Sequence, residues 1–190
     1  MPLFSSGSLP PACAQCINTL QLAAPGSLPQ ESPWSLLRSA EGRLRLNFGN
    51  TSIITDPIAG VRMYLDHLAQ TVRIMPLTPP TPPGMPGMPQ AAIPGFGMPG
   101  LAGLAIPAMP GTNVQNLGKS IMDGLEVMGK RYISGARTLE TWTSTKLQLP
   151  VLTKMTGSFG LQTCQCKTLP TPPDPSVFQI PPGYTQLPPK

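Results

Sequence analysis

From Ile74 to Gly118 the chain carries no charged residue, and prolines stand at 76, 79, 80, 82, 83, 86, 89, 94, 99, 107 and 110. Proline fixes φ and lacks an amide hydrogen, so a segment this dense in it sustains neither a helix nor an internal strand. The same prolines interrupt any apolar run well short of the roughly 20 residues that a membrane-spanning helix needs. Residues 76–111 therefore predict a polyproline-like insertion, and any folded domain has to be assembled from the sequence on either side of it. A mere spacer would be polar. This one carries Met85, Met88, Ile93, Phe96, Met98, Leu101, Leu104, Ile106 and Met109. Such adaptable apolar groups serve promiscuous interfaces, and prolines lower the entropy cost of ordering an arm on a partner. The expectation is a Pro/Met/Gly-rich arm that binds neighbouring protein subunits.

Disordered chains are poor in apolar groups and rich in net charge. Here 40% of residues are hydrophobic, only 11% are charged and the formal net charge is +5, so the class does not fit. The positive charge is spread thinly over Arg38, Arg43, Arg45, Arg62, Arg73, Lys119, Lys130, Arg131, Arg137 and others. It forms no stripe interleaved with aromatics, which argues against nucleic acid and is compatible with an anionic membrane surface.

Beside the insertion the pattern has period two. Arg43, Arg45 and Asn47 alternate with Leu44, Leu46 and Phe48, the signature of a half-buried strand. Gly49-Asn50 makes a turn, "TSIIT" reads as a β-branched strand, and "DPIAG" turns into "VRMYLD" and "TVRIMPL". Beyond the insertion "KSIMD", "LEVMGKRYIS", "TLETWTSTKLQLPVLTKMTG" and "FGLQTCQCKTL" continue the series between glycines. The fold class is mainly β: a single antiparallel curved sheet or half-barrel meander, with a long insertion and extended termini. Residues 34–75 and 112–168 form the β domain. Residues 1–33 are an extended segment with a helical turn or two in "CINTLQLAA", and 169–190 are a Pro-rich tail in which Phe178, Ile180 and Tyr184 could dock on the sheet. Phe178 and Tyr184 are also candidate partner-binding residues.

In order along the chain, "EGRLRLNFGNTSIITDPIAGVRMYLDHLAQTVRI", "NLGKSIMDGLEVMGKRY", "ETWTSTKLQLPVLTK" and "PDPSVFQIPPGY" resemble a family of bacterial, usually secreted, β-sheet proteins. That family shows an I-x-D-P-x-A-G-V turn and a P-D-P-S-x-F-x-[IV]-P-x-x-Y ending. More distantly, such proteins are similar to lipoprotein-carrier-like half-barrels. The resemblance implies a curved antiparallel sheet with a concave apolar face and brings no catalytic residues.

The cysteines come as Cys13-x-x-Cys16 and Cys164-x-Cys166. Four thiolates could complete a tetrahedral zinc site; disulfides are the competing reading in an oxidising compartment, and free thiols are the third. His67, the sole histidine, sits in a turn-like stretch and reads as solvated. With no nucleophile elbow, no carboxylate pair and no phosphate-cradling loop, the chain is expected not to be an enzyme. The amino terminus has neither a basic n-region nor an apolar h-region, which predicts no export by the general route if Met1 is the start.

These readings lead to a non-enzymatic peripheral or scaffolding subunit of a large bacterial membrane-associated complex. A photosynthetic reaction centre or another electron-transfer assembly, approached from the cytoplasmic side of the membrane, is the concrete expectation. The alternative is a soluble carrier holding a lipid or other apolar ligand in the concave sheet, periplasmic if the start is a processed one.

Overall fold

The structure, a computed structural model, describes residues 10–77 and 113–188. The arm residues from Met85 to Met109 lie outside the described residues. In chain order the strands are β1 (Ala12–Leu22), β2 (Gln30–Arg38), β3 (Leu44–Phe48), β4 (Thr51–Asp56), β5 (Val61–Asp66) and β6 (Thr71–Pro76). After the insertion come β7 (Asn113–Met122), β8 (Leu125–Ser134), β9 (Arg137–Ser144), β10 (Pro150–Gly157), β11 (Gly160–Leu169) and β12 (Thr185–Leu187). All join one open sheet in the order β12-β6-β5-β4-β3-β2-β1-β11-β10-β9-β8-β7. Every pairing is antiparallel except β12 with β6.

The local chemistry of the turns explains much of this. Two hairpins use the same device. In "DPIAG" the Asp56 carboxylate accepts from the Ile58 and Ala59 amides, and in "DHLAQ" Asp66 accepts from Leu68 and Ala69. Each loop closes with a left-handed residue, Gly60 at φ 66° and Gln70 at φ 49°. Asp123-Gly124, at φ 48° and 75°, forms the tight β7–β8 turn whose twist suits antiparallel strands.

The amino-terminal strand corrects one expectation. Residues 12–22 are neither helical nor outside the β domain: β1 lies in the middle of the sheet, hydrogen-bonded to β2 on one side and β11 on the other. Its alternation is the cause. Ala12, Ala14 and Cys16 are buried while Gln15 and Ile17 are exposed, which is strand periodicity. This strand joins the two halves of the chain on either side of the insertion.

Each face has its own core. On one face Ala12, Ala14, Cys16, Trp34, Leu36, Leu46, Leu149, Cys164 and Cys166 pack together. Pairing puts Phe48, Trp34, Cys16 and Cys166 in one row across β3, β2, β1 and β11, with the Trp34 and Phe48 rings stacked 5.9 Å apart. On the opposite face, over β4 to β6, Ile54, Met63, Leu65 and Val72 pack against Phe178, with Val177, Ile180 and Tyr184 alongside. Asp174 caps the 3-10 turn Pro175–Phe178 by accepting from the Ser176 amide at 2.8 Å, which seats this part of the tail. Phe178 is only 3% exposed, so its expected partner-facing role is corrected: the sheet itself is its partner.

The junction of the halves makes a sharp stability prediction. Gly160 sits at φ 125°, and a Cβ there would stand 2.1 Å from the Gln21 carbonyl oxygen; Gly26 is also left-handed, yet has open space around it. In urea titrations Gly160→Ala is expected to cost about 3 kcal/mol or more, and Gly26→Ala about 1 kcal/mol. Equal costs would contradict the close β1–β11 approach.

Candidate functional site

On the face of β2, β1 and β11 opposite the Trp34 core, the outward-pointing residues surround a cavity of about 790 Å³. Gln15, Ile17 and Thr19 enter from β1, Pro33 and Ser35 from β2, and Thr163, Gln165 and Lys167 from β11. Asp123 of the β7–β8 turn lines the same space. That turn belongs to strands at the far end of the sheet order, so the sheet curves enough to bring it over β11 and β1. Amides, hydroxyls and charges of both signs are set among apolar surface from Ile17, Pro33 and Trp34.

Asn47 forms one wall and leads into a polar network. Its amide nitrogen donates to Ser35 Oγ at 2.8 Å, and its carbonyl oxygen accepts from Arg45 Nε at 2.7 Å and Ser52 Oγ at 2.7 Å. Ser52 Oγ accepts from Arg45 Nη2 at 3.0 Å and lies 2.6 Å from His67 Nε2. With the Ser52 proton on Asn47, the consistent assignment makes His67 the donor from Nε2 and leaves Nδ1 to accept from the Tyr184 hydroxyl. Arg45 Nη1 also donates to the Val177 carbonyl at 2.6 Å. Burial lowers the Arg45 pKa from its ordinary value, with Tyr184 acting the other way. The expectation of a solvated turn histidine is therefore corrected: His67 is half-buried and ties the tail to the sheet. Tyr184 likewise serves an internal contact.

One face of the sheet thus has two parts. Over β4 to β6 its apolar ground is occupied by the chain's own residues 177–184; over β2, β1 and β11 it is open, with polar and apolar side chains interleaved. Ser52, fully buried, has a histidine partner but no opening to a substrate, and it functions as a structural hydroxyl.

The four cysteines do not converge. Cys16 and Cys166 stand directly opposite each other and form a disulfide across a sequence separation of 150. Cys164 is buried on the same face, its sulfur 4.0 Å from that of Cys166. Cys13 lies on the other face, between Leu37 and Leu169. The zinc reading is corrected accordingly, because two of its four sulfurs are bonded to each other and a third points away. Burial pushes the Cys164 thiol up to about 11, with the Trp34 side chain acting in the opposite direction. The sequence reading missed the cavity residues, whose signal lay in the alternation of "ACAQCINT": small and sulfur-bearing side chains on one face, Gln15, Ile17 and Thr19 on the other.

No family model matches the chain, and no curated protein does. Among solved structures the chain is similar to MucB in complex with MucA(peri), at 12% identity and TM-score 0.48, over 90% of this chain and 55% of that one. It is similar to lipoprotein LppX of Mycobacterium tuberculosis at 10% identity and TM-score 0.35, over 84% and 85% of the two chains. An outer membrane lipoprotein-sorting protein domain from Vibrio parahaemolyticus matches at 9% identity and TM-score 0.35, over 88% of each. The chain spans little more than half the length of MucB. At such identities and TM-scores the likeness concerns no more than the outline of the fold. These findings correct the expectation of a photosynthetic or electron-transfer subunit on the cytoplasmic side: the similar structures include MucB with MucA(peri), LppX and a lipoprotein-sorting protein domain. The Cys16–Cys166 disulfide points the same way, since cytosolic reductants keep such pairs open.

At pH 8 the folded protein is expected to react with iodoacetamide at Cys164 about 100-fold more slowly than an ordinary thiol, because so little thiolate is present. Peptide mass analysis of a time course measures this. Modification of Cys164 at the rate of the urea-unfolded chain would contradict its burial against Trp34.

Proposed function

We propose that this chain is a non-enzymatic extracytoplasmic binding or carrier protein that holds an extended segment of a protein partner in the cavity over β2, β1 and β11. The observation that carries the reading is the cavity itself: about 790 Å³ on the central strands, lined by Gln15, Ser35, Asn47, Thr163 and Gln165. Side-chain amides and hydroxyls both donate and accept, which suits the alternating groups of a peptide backbone. Glu31, Asp123 and Lys167 provide charges of both signs around them. An acyl chain fits less well, because amides, hydroxyls and charges interrupt the apolar side chains here, and the continuous apolar ground over β4 to β6 is already filled by Val177, Phe178 and Ile180. The disulfide supports an oxidising compartment.

A photo-crosslinking amino acid placed at Gln165 or Ile17 of the full chain, expressed in its native host, tests this. The expected result is a discrete protein adduct from both cavity positions and none from Ile58, which is exposed at the distant β4–β5 turn. Adducts from all three positions alike, or lipid alone from the cavity, would overturn it.

A further inference from the structure

The sheet carries a second unassigned feature on the face opposite the cavity, over β5 and β6. Arg62 and Tyr64 are two apart on β5 and share a face. Arg73 stands directly opposite Tyr64, and Met75 opposite Arg62. The four side chains form one block, with the two arginines on its diagonal and the phenol beside them. Register with β4 adds Thr55 next to Arg62.

Neither arginine has an acidic partner. The ion pairs among the described residues are Arg43 with Asp56, Lys119 with Glu126 and Arg131 with Glu140. The acids at the ends of these strands are already engaged: Asp56 holds Arg43 and its own turn, and Asp66 holds the Leu68 and Ala69 amides. Moreover, Nε of Arg62 and Nε of Arg73 are both buried without a hydrogen-bond partner. Buried donors in folded proteins are nearly always satisfied, and like charges on neighbouring strands repel. Two such donors, diagonal to one another and each on a cation with no acidic partner among the described residues, call for an acceptor that the sheet itself does not supply. Other arginines of this sheet do not share the pattern: Arg38 is buried and Arg45 half-buried, and their Nε groups donate to Pro10 O and Asn47 Oδ1.

We infer that Arg62 and Arg73, with Tyr64 between them, form a binding site for a phosphate-type oxyanion. The planar guanidinium forks match two oxygens of such a group, and the Tyr64 hydroxyl adds a third donor. Both residues are half-buried rather than enclosed, so part of each side chain beyond the buried Nε stays open to a solute. The site lies on the other side of the sheet from the cavity and is independent of what the cavity holds. A free phosphate ester and the phosphate of an anionic lipid headgroup share this chemistry.

Calorimetric titration of the full, disulfide-bonded chain with inorganic phosphate at low ionic strength is the first arm, with chloride at equal ionic strength as the reference. Saturable binding of phosphate is expected, weakened at least 10-fold in Arg62→Gln and in Arg73→Gln and unchanged in Arg131→Gln. Arg62→Lys, which keeps the charge and loses the fork, is expected to fall between. The second arm is co-sedimentation with vesicles of phosphatidylglycerol against vesicles of phosphatidylcholine. Retention on the anionic vesicles that needs both arginines assigns the site to a headgroup; phosphate binding without retention assigns it to a soluble ester. Absence of both, or binding that survives in the folded double variant Arg62→Gln/Arg73→Gln, overturns the site. Near-UV circular dichroism confirms folding of each variant.

Discussion

The antiparallel pairing of β1 with β11 is the contact on which the remaining structure depends. The uncharged, proline-rich stretch divides the chain into two series of strands, and neither series contains the other's hydrogen-bonding edge. Residues 12–22 close that gap by offering one edge to β2 and the other to β11. The Cys16–Cys166 disulfide fixes the register at the middle of this seam, and Trp34 covers it from β2. In the chain-entropy picture a link across 150 residues restricts the unfolded state by about 5 kcal/mol, comparable with the whole stability of many domains. Without the seam, the cavity over β2, β1 and β11 has no floor.

The tail completes the division of labour. By laying Val177, Phe178 and Ile180 over the apolar side chains of β4 to β6, it removes from solvent the ground on which an apolar ligand would sit. What it leaves uncovered sets amides, hydroxyls and charges among apolar side chains. The chain Ser35–Asn47–Ser52–His67–Tyr184 connects the cavity wall to the tail through four successive hydrogen-bonded contacts. The boundary between filled and open regions is therefore a continuous polar network in which every side chain has a partner.

Much of the fold was legible in the sequence, and its limits have physical reasons. Alternation in Leu44–Phe48 and Val61–Asp66 announced strands, because one half-buried face writes a period of two. The two Asp-started turns announced hairpins. The β1 strand was hidden: alanine and cysteine are small enough to pack against Trp34, but they give a weak hydropathy signal beside Pro25 and Pro29. Cysteine spacing cannot distinguish a zinc site from a cross-strand disulfide; only the register that sets Cys16 opposite Cys166 decides it. His67 looked solvated because its partners, Ser52 and Tyr184, are distant in sequence. The cavity was least legible, since Gln15 and Gln165 on a strand read as an ordinary wet face until curvature brings Asp123 over them. The subunit reading rested on the arm, which lies outside the described residues, and on an amino terminus taken as a cytoplasmic start.

The central claim is that an oxidised β1–β11 seam joins the two halves and carries the site. The most direct measurement is non-reducing proteolysis and mass mapping of the protein isolated from its native cells, with free thiols blocked at lysis. The account predicts one cross-linked peptide pair joining Cys16 to Cys166, with Cys13 and Cys164 blocked as free thiols. Recovery of all four cysteines as free thiols, or a bond linking Cys13 to Cys164, would contradict it.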